Sequence, residues 1–313
     1  MQSETINVHG ADGHLIPARL WRTTEPARGA VQILHGLGEH CDRYSGLAEK
    51  LNQAGLHVIA HDHRGHGEAI AVGTQGFFAE QLGWQKVIDD VFAVRRHLDE
   101  AVGPLPVALL GHSMGSYIAQ ATVLRDATPW IGLALSGSNF APRWLLYVAR
   151  WVAKLERWRK GQRSPSKLMT KLSFGSYNKP FEPARTEFDW LSRDPNEVDR
   201  YINDPWCGFD STGSLWVDLL GGLIGISSIK ALRGLPGKMP VYIFGGAEDP
   251  ISAGNRLEVL TQSLDAAGVE NVVLTTYPGA RHEVFNETNR AEVTTDFIRW
   301  LENLEPLRTE NAA

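Results

Sequence analysis

The stretch PVALLGHSMGSYIAQATVLR, residues 106–125, decides the predicted fold. It begins with a short apolar run typical of a buried strand, passes through the pattern G-x-S-x-G at 111–115, and ends in a segment with helical character. A sharp strand-to-helix turn of this kind lifts Ser113 above the edge of a sheet, where its hydroxyl can act as a nucleophile. The alternative is a glycine-rich turn with a capping serine, because 31 glycines in 313 residues make a bare match common.

Strand-like and helix-like segments alternate on both sides of this stretch. The predicted strands are Ala30–Leu34, Val58–Ala60, Val107–Leu110, Ile131–Leu135, Val241–Phe244 and Val272–Thr276, after an N-terminal hairpin of Thr5–Val8 and Leu15–Trp21. The predicted helices are Leu47–Ala54, Trp84–Val102, Tyr117–Arg125, Arg256–Ala267 and Ala291–Leu304. The alternation predicts an α/β fold with a mostly parallel, doubly wound sheet. Ligands of such sheets bind at the carboxyl ends of the strands.

One interval, residues 139–237, lacks this alternation and is rich in Trp and basic residues. We therefore predict a core formed by 1–138 and 238–313, interrupted by one insertion at 139–237. The chain returns to the sheet at Val241.

Composition limits the possible functions. No run approaches the roughly 18 apolar residues of a membrane span, and a net charge of −5 gives no general attraction to nucleic acid. The N-terminus lacks a basic segment followed by an apolar one, and Cys41 and Cys207 form no zinc-like or disulfide-like pattern. These features lead us to expect a cytoplasmic globular protein.

A serine nucleophile needs a base, and that base needs an acid to orient it. In this topology the acid follows a strand after the serine, and the histidine follows the last strand. Asp249 comes after Val241–Phe244, and His282 comes after Val272–Thr276. A loop histidine alone is usually solvated and an Asp before Pro is usually a turn residue, but the order predicts a Ser113–His282–Asp249 triad. Glu248 is the alternative acid.

The reaction also needs hydrogen-bond donors for a developing oxyanion. The strand Ala30–Leu34 runs into the glycine-flanked turn HGLGEH at 35–40. We predict that the backbone amides of Leu37 and Met114 form the oxyanion hole, because one lies in this turn and the other directly follows the nucleophile. An ordinary strand-to-helix loop would explain the glycines but not their position beside the serine turn.

Together these motifs resemble the monoacylglycerol lipase/lysophospholipase branch of the α/β-hydrolases, also described as serine aminopeptidase S33-like. The resemblance rests on HGLGEH at 35–40 with Arg43 and Tyr44, DHRGHG at 62–67, GHSMG at 111–115 and the loops of Asp249 and His282. It implies an α/β-hydrolase fold with a mainly helical cap between the sixth and seventh strands, no cofactor, and ester or lipid substrates. It also implies Glu39, Arg43 and Tyr44 as candidates for head-group contact, with a structural Arg–Glu pair as the alternative. No second histidine near His282 matches the family's glycerol contact.

The run HDHRGH at 61–66 superficially matches a zinc signature of metallo-hydrolases. Gly65 stands where that signature requires an aspartate, and a serine triad needs no metal. We therefore predict no metal site.

Residues Arg143–Lys160 form a predicted helix with apolar residues at helical spacing and six basic residues against one acid, Glu156. Its apolar stripe comprises Trp144, Val148, Trp151, Val152, Leu155 and Trp158. The favoured interpretation is that most of this stripe packs over the active site. The alternative is contact with a membrane surface, and binding to RNA is rejected because the helix stands alone on an acidic protein.

The sequence thus predicts a cofactor-free serine hydrolase acting on small ester or lipid substrates, such as a monoacylglycerol or lysophospholipid. An aminopeptidase or amidase on the same scaffold would need a carboxylate for a substrate ammonium, for which Glu182 and Glu187 are candidates. A non-catalytic ligand receptor that retains the triad is a further alternative. A haloalkane dehalogenase is disfavoured because its nucleophile is an acid.

Overall fold

A computed structural model describes residues 3–252 and 254–307 of the chain. Its sheet has eight strands in the order β1-β2-β4-β3-β5-β6-β7-β8. The strands are β1 (Glu4–His9), β2 (Leu15–Trp21), β3 (Gly29–Leu34), β4 (Leu56–His61), β5 (Val107–His112), β6 (Gly132–Ser136), β7 (Val241–Gly246) and β8 (Val272–Tyr277). Pairs β1–β2 and β2–β4 are antiparallel and all others parallel. The predicted mostly parallel sheet is confirmed.

Helices cover both faces of this sheet. They are α1 (Ser45–Gln53), α2 (Gly83–Val102), α3 (Met114–Arg125), α4 (Arg143–Lys160), α5 (Lys167–Phe174), α6 (Pro195–Asn203), α7 (Gly213–Ile226), α8 (Ile229–Leu232), α9 (Arg256–Ala267) and α10 (Arg290–Glu302). Apolar residues of α2, α3 and α9 form one core cluster with the sheet, and those of α1 and α10 form another. The fold is therefore doubly wound, as predicted.

Strand β3 shows why the central strands are largely apolar on both faces. Alternate side chains point to opposite faces, so Val31 and Ile33 belong to one core cluster while Ala30 and Leu34 belong to the other. A strand covered on both faces favours apolar residues at successive positions, and the one buried polar side chain of β3, Gln32, donates a hydrogen bond to the Val91 carbonyl. This position also brings the loop after β3 beside the end of β5.

The insertion predicted at 139–237 falls between β6 and β7. This part of the chain contains helices α4 to α8 and contributes no strand to the sheet. Helices α4 and α7 pack against each other, and their buried residues join the core cluster on the α2–α3 face. The boundaries of the two-part division stay a prediction, and its outermost residues, 1–2 and 308–313, lie outside the described chain.

Candidate active site

Ser113 occupies the turn between β5 and α3, with φ 51° and ψ −120°. Residues with a side chain avoid this backbone region, so the turn is strained. A Cβ on Gly111 would lie 2.3 Å from the Gly115 carbonyl oxygen, and one on Gly115 would lie 2.1 Å from the Leu34 carbonyl oxygen. Both glycines are therefore needed for the close approach of α3 to the sheet. The Ser113 amide donates to the Ser136 carbonyl at 2.9 Å, which ties the turn to β6.

His282 and Asp249 meet at the carboxyl ends of β8 and β7. Both are buried, and His282 Nδ1 lies 3.0 Å from Asp249 Oδ2. The carboxylate also accepts hydrogen bonds from the Ile251 amide at 2.9 Å and from the Ser252 hydroxyl. Glu248, the alternative acid, is exposed. Because a carboxylate only accepts hydrogen bonds, Nδ1 carries the proton and His282 Nε2 is left as the basic nitrogen.

The electrostatics of this pair suit a general base. Burial alone would lower the pKa of His282, but the negative charges of Asp249, Glu283 and Glu39 outweigh it and the pKa is raised. Burial would likewise raise the pKa of Asp249, but the interaction with His282 outweighs it and the pKa is lowered. The neighbouring His112 behaves differently, since burial and the charge of His282 lower its pKa to about 3. One of the two adjacent imidazoles can therefore take up a proton readily while the other stays neutral.

Ser113 and His282 open into the same cavity, which has a volume of about 910 Å³. No hydrogen bond joins the Ser113 hydroxyl to His282 among the described residues. Catalytic hydrogen bonds are often long in the absence of substrate. The apolar lining of the cavity is largely aromatic and comprises Leu37, Phe174, Phe188, Trp190, Leu191, Tyr201, Phe209 and Trp216.

Three residues around His282 escaped the sequence analysis as parts of the site. The ring of His112 lies 4.7 Å from that of His282, and the ring of Trp190 lies 5.1 Å away. Ser252 holds the acid through its hydroxyl. The position of Ser252, three residues after Asp249 in the same turn, is a signal that could have identified it. No local motif marks Trp190, because it comes from the insertion.

The loop after β3 lies beside the serine, as the oxyanion-hole prediction requires. A Cβ on Gly36 would be 3.2 Å from Ser113 Cβ, and Leu37 lines the cavity. The Gly36 amide donates to the Glu39 carboxylate. The amides of Leu37 and Met114 donate to no other group of the described chain, and Met114 is the first residue of α3, where the helix itself supplies no acceptor. Their role as oxyanion donors stays a prediction.

Glu39, Arg43 and Tyr44, the predicted head-group contacts, form a buried network. Arg43 donates to Glu39 at 3.1 Å and makes two hydrogen bonds to Glu283, while the Tyr44 hydroxyl donates to Glu39 at 2.9 Å. Only the two carboxylates of this network line the cavity. Burial would raise the pKa of Glu283, but Arg43 outweighs it and lowers the pKa to about 2. The network joins the loop of Gly36 to the residue that follows His282.

The histidines of the zinc-like run pack against one another and against His35. The ring of His35 lies 4.3 Å from His63 and 5.2 Å from His66, and His61 lies 4.8 Å from His63. All four are buried. His35 Nε2 accepts from the His63 amide, so its Nδ1 carries the proton shared with the Gly36 carbonyl. The cluster therefore supports the loop after β3 with neutral imidazoles.

The favoured interpretation of the α4 stripe is wrong. Trp144, Trp151 and Trp158 are 69%, 66% and 81% exposed, and no residue of α4 lines the cavity. The helix instead buries a narrow face that includes Leu146 and Ala153, which packs towards α7. Glycines of α7 allow the close approach, because a Cβ on Gly213 would lie 3.2 Å from Arg157 and one on Gly221 would lie 2.9 Å from the Arg150 guanidinium. Separately, the described chain contains no helix that combines the length and apolarity needed to span a bilayer.

The fold and the geometry around Ser113 define the class of protein as an α/β-hydrolase. A family model described as "Serine aminopeptidase, S33" matches residues 25–289, and the chain belongs to this family of hydrolases. It is 30% identical to a monoacylglycerol lipase of Mycolicibacterium smegmatis, covering 96% of this chain and 99% of the relative. It is 26% identical to a monoglyceride lipase of Rattus norvegicus, covering 92% and 86%. The predicted family resemblance is confirmed.

The solved structures agree with this assignment. A carboxyl esterase from Bacillus coagulans in complex with glycerol superimposes with a TM-score of 0.86 at 27% identity, covering 97% of this chain and 99% of the esterase. A lipase in an open form gives a TM-score of 0.85, also at 27% identity. The similarity extends over the insertion as well as the sheet, because nearly the whole of each chain is covered.

Proposed function

We propose that this hydrolase cleaves carboxylic esters carrying one acyl chain, such as a monoacylglycerol or a lysophospholipid. The observation that carries the proposal is the cavity shared by Ser113 and His282, with Asp249 buried behind the imidazole and bonded to it at 3.0 Å. Its volume of about 910 Å³ and the aromatic residues of its lining suit an acyl chain. The relatives named monoacylglycerol lipase and carboxyl esterase support the same reaction.

In the proposed mechanism Ser113 Oγ attacks the ester carbonyl while His282 Nε2 removes its proton. Asp249 keeps the imidazole in the required tautomer and stabilises the imidazolium. The Leu37 and Met114 amides hold the oxyanion of the tetrahedral intermediate, and His282 returns the proton to the leaving alcohol. Water then attacks the acyl-enzyme, again with His282 as the base. Every step uses groups of the chain itself and needs no metal or cofactor.

We further propose that the insertion at 139–237 acts as a cap over this cavity. Phe174, Trp190 and Trp216 come from the insertion and line the cavity beside the serine. The Gly208 amide also donates to the Gly38 carbonyl at 3.0 Å, so the insertion touches the loop after β3. A cap in this position encloses the acyl chain and leaves the ester at the sheet edge.

An acyl-chain series tests the reaction. Steady-state hydrolysis of p-nitrophenyl esters and of 1-monoacylglycerols from short to long chains is compared between wild type, Ser113→Ala and the matched control Glu248→Gln. We expect turnover in wild type and in Glu248→Gln, with a preference for longer acyl chains over acetyl. In Ser113→Ala the rate of hydrolysis should fall by several orders of magnitude. Ester turnover that survives in Ser113→Ala contradicts the mechanism.

Two alternatives give different outcomes in the same assay. An amidase or aminopeptidase would prefer an aminoacyl p-nitroanilide. Glu187 lines the cavity and is the carboxylate that could pair with the ammonium group of this substrate. Glu182 does not line the cavity. A ligand receptor that retains the triad would react with a fluorophosphonate but complete at most one turnover. Steady release of many equivalents of product excludes the receptor.

We also propose transient contact between α4 and a membrane surface, with the enzyme in the cytoplasm. The exposed Trp144, Trp151 and Trp158 recur every seven residues beside basic side chains, a pattern typical of interfacial helices. Sedimentation with anionic vesicles tests this contact. The triple variant Trp144→Ser/Trp151→Ser/Trp158→Ser is compared with the control Leu82→Ser, which also removes an exposed apolar side chain. Only the triple variant should lose vesicle binding, while hydrolysis of a short dissolved ester stays unchanged. Equal binding by both variants contradicts the proposal.

A further inference from the structure

The loop after β3 meets the insertion at a group of three potential metal ligands. His40 Nε2 lies 2.8 Å from Asp204 Oδ2, and the ligand atoms of His40, Asp204 and Cys207 all lie within 4.8 Å of one another. Two independent segments supply them, because His40 follows Glu39 in the loop while Asp204 and Cys207 follow α6. No other group of three or more His, Cys, Asp or Glu side chains in the described chain converges in this way.

These donors form a set that suits a borderline-soft divalent cation. An imidazole nitrogen, a carboxylate oxygen and a thiolate sulfur bind Zn²⁺ at about 2.0–2.3 Å, and a tetrahedral ion places its ligand atoms about 3.3–3.8 Å apart. The pair His40–Asp204 is already closer than this at 2.8 Å, and the Cys207 sulfur lies within 4.8 Å of both partners. Three protein ligands leave a fourth position for water. The charge of the ion is balanced by one carboxylate and one thiolate.

The surroundings favour a cation that enters from solvent. His40 is buried, Asp204 and Cys207 are half-buried, and the ring of Trp206 lies edge-on to His40 at 5.2 Å. A shallow cavity of about 860 Å³ opens beside His40 and Asp204. Its charged lining residues are four acids against two arginines: Asp42, Glu197, Asp199, Asp204, Arg43 and Arg200. Cys207 is a free cysteine, so its sulfur is available to an ion.

We propose that His40, Asp204 and Cys207 bind a zinc-like divalent cation that fastens the insertion to the loop after β3. On binding, the Cys207 thiol proton passes to solvent, the His40 proton moves from Nε2 to Nδ1, and the His40–Asp204 hydrogen bond is replaced by two bonds to the ion. The same loop contains Leu37, and the Gly208 amide already donates to the Gly38 carbonyl at 3.0 Å. An ion at this position therefore restrains Leu37, Gly38 and Gly208, which line the cavity of Ser113, and slows turnover.

Cobalt provides a direct test of the ligand set, and it does not depend on the proposed hydrolysis. Co²⁺ bound by a thiolate has an intense near-ultraviolet charge-transfer band, and the chain has only two cysteines. Tag-free, reduced wild type is titrated with Co²⁺ and then with Zn²⁺ to displace it. The variants are Cys207→Ser and Asp204→Asn, with Cys41→Ser as the matched control, since Cys41 is buried and does not belong to the converging group of ligand atoms.

We expect the band in wild type and in Cys41→Ser, its absence in Cys207→Ser, and at least a tenfold weaker affinity in Asp204→Asn. One proton should be released per ion, measured from the buffer dependence of the binding heat. Absence of the band from wild type, or its persistence in Cys207→Ser, overturns the proposal. In a second arm, Zn²⁺ should inhibit ester turnover in wild type but not in Cys207→Ser. If Zn²⁺ inhibits wild type and Cys207→Ser equally, the inhibition arises at another site, such as His282. That result overturns the proposal that the ion slows turnover.

Discussion

Asp249 is linked to His282 at 3.0 Å and is at the same time anchored by its own turn through the Ile251 amide at 2.9 Å. The carboxylate therefore cannot rotate without losing both contacts. These two contacts fix the direction of the imidazole, whose Nδ1 has no other hydrogen-bond partner in the described part of the chain. In the proposed mechanism, Asp249 thus orients His282, and the loop after β7 orients Asp249.

Replacement of Asp249 by Asn should lower kcat by about 10⁴, because the amide can donate to Nδ1 and stabilise the wrong imidazole tautomer. Steady-state hydrolysis of a short ester measures the effect. The neighbouring Glu248→Gln removes an exposed carboxylate and serves as the control, with kcat within a factor of two or three. Similar losses in both variants would contradict the assignment of the acid.

The same variant should change the pH profile. Catalysis needs neutral His282, so kcat/KM rises with pH through a pKa raised above the usual value for histidine. In Asp249→Asn, His282 stays buried but loses the nearby negative charge, so its pKa should fall. The rise of kcat/KM with pH should therefore occur at lower pH. Initial rates of wild type and variant from pH 5 to 9 measure the shift. If the rise of kcat/KM instead occurs at higher pH in the variant, Asp249 does not stabilise the charged imidazole.

Ser113→Gly should be more stable than Ser113→Ala by about 1 kcal/mol, because only glycine adopts φ 51° without strain. Both variants lack the hydroxyl, so both should be inactive and they differ only in the methyl group that restricts the backbone. Urea unfolding measures the free energies. The control is the pair Ser116→Gly and Ser116→Ala. Ser116 lies within α3, where glycine should be less stable than alanine by about 1 kcal/mol. If Ser113→Gly and Ser113→Ala unfold alike, the turn stores no strain.

The position of the reacting groups could be predicted because parallel strands present all their carboxyl ends at one edge. Ser113, Asp249 and His282 each follow a recognisable apolar run, so their approach follows from the strand order. The link between Arg43 and Glu283 could not be predicted in this way, because it joins residues 240 positions apart and depends on how two loops pack.

The orientation of α4 shows a second limit of the sequence. Helical periodicity identified which side chains share a face, but it does not say which face a neighbour covers. The face with the large aromatic residues lies in solvent, and the narrower face around Ala153 packs against α7. The partner helix decides the interface, because Gly213 and Gly221 of α7 leave room for Arg157 and Arg150 of α4.

Arg43→Met should lower the free energy of unfolding by about 3–5 kcal/mol, because it leaves Glu39 and Glu283 buried without their cation. Urea unfolding at pH 7 measures the loss. The control is Arg22→Met, whose ion pair with Glu4 is exposed and contributes less than about 1 kcal/mol. If Arg43→Met leaves stability unchanged and raises KM instead, Arg43 contacts the substrate head group.

The buried histidines should make the protein sensitive to mild acid. Burial lowers the pKa of His61 to about 3 and that of His66 to about 4, whereas both rings titrate near 6.5 in the unfolded chain. Between these values the unfolded chain binds protons that the folded chain does not. The free energy of unfolding therefore falls as the pH falls below 6.5, by up to about 1.4 kcal/mol per pH unit for each histidine.

The variant His61→Phe removes one such group, so its loss of stability between pH 7.5 and pH 5.5 should be about 1 kcal/mol smaller than that of wild type. Urea unfolding at the two pH values gives this difference, in which any pH-independent cost of repacking cancels. The control is Leu98→Ala, which removes buried apolar volume without a titratable group and should lower stability equally at both pH values. If His61→Phe and wild type lose the same amount, His61 is protonated in the folded protein and the cluster is open to water.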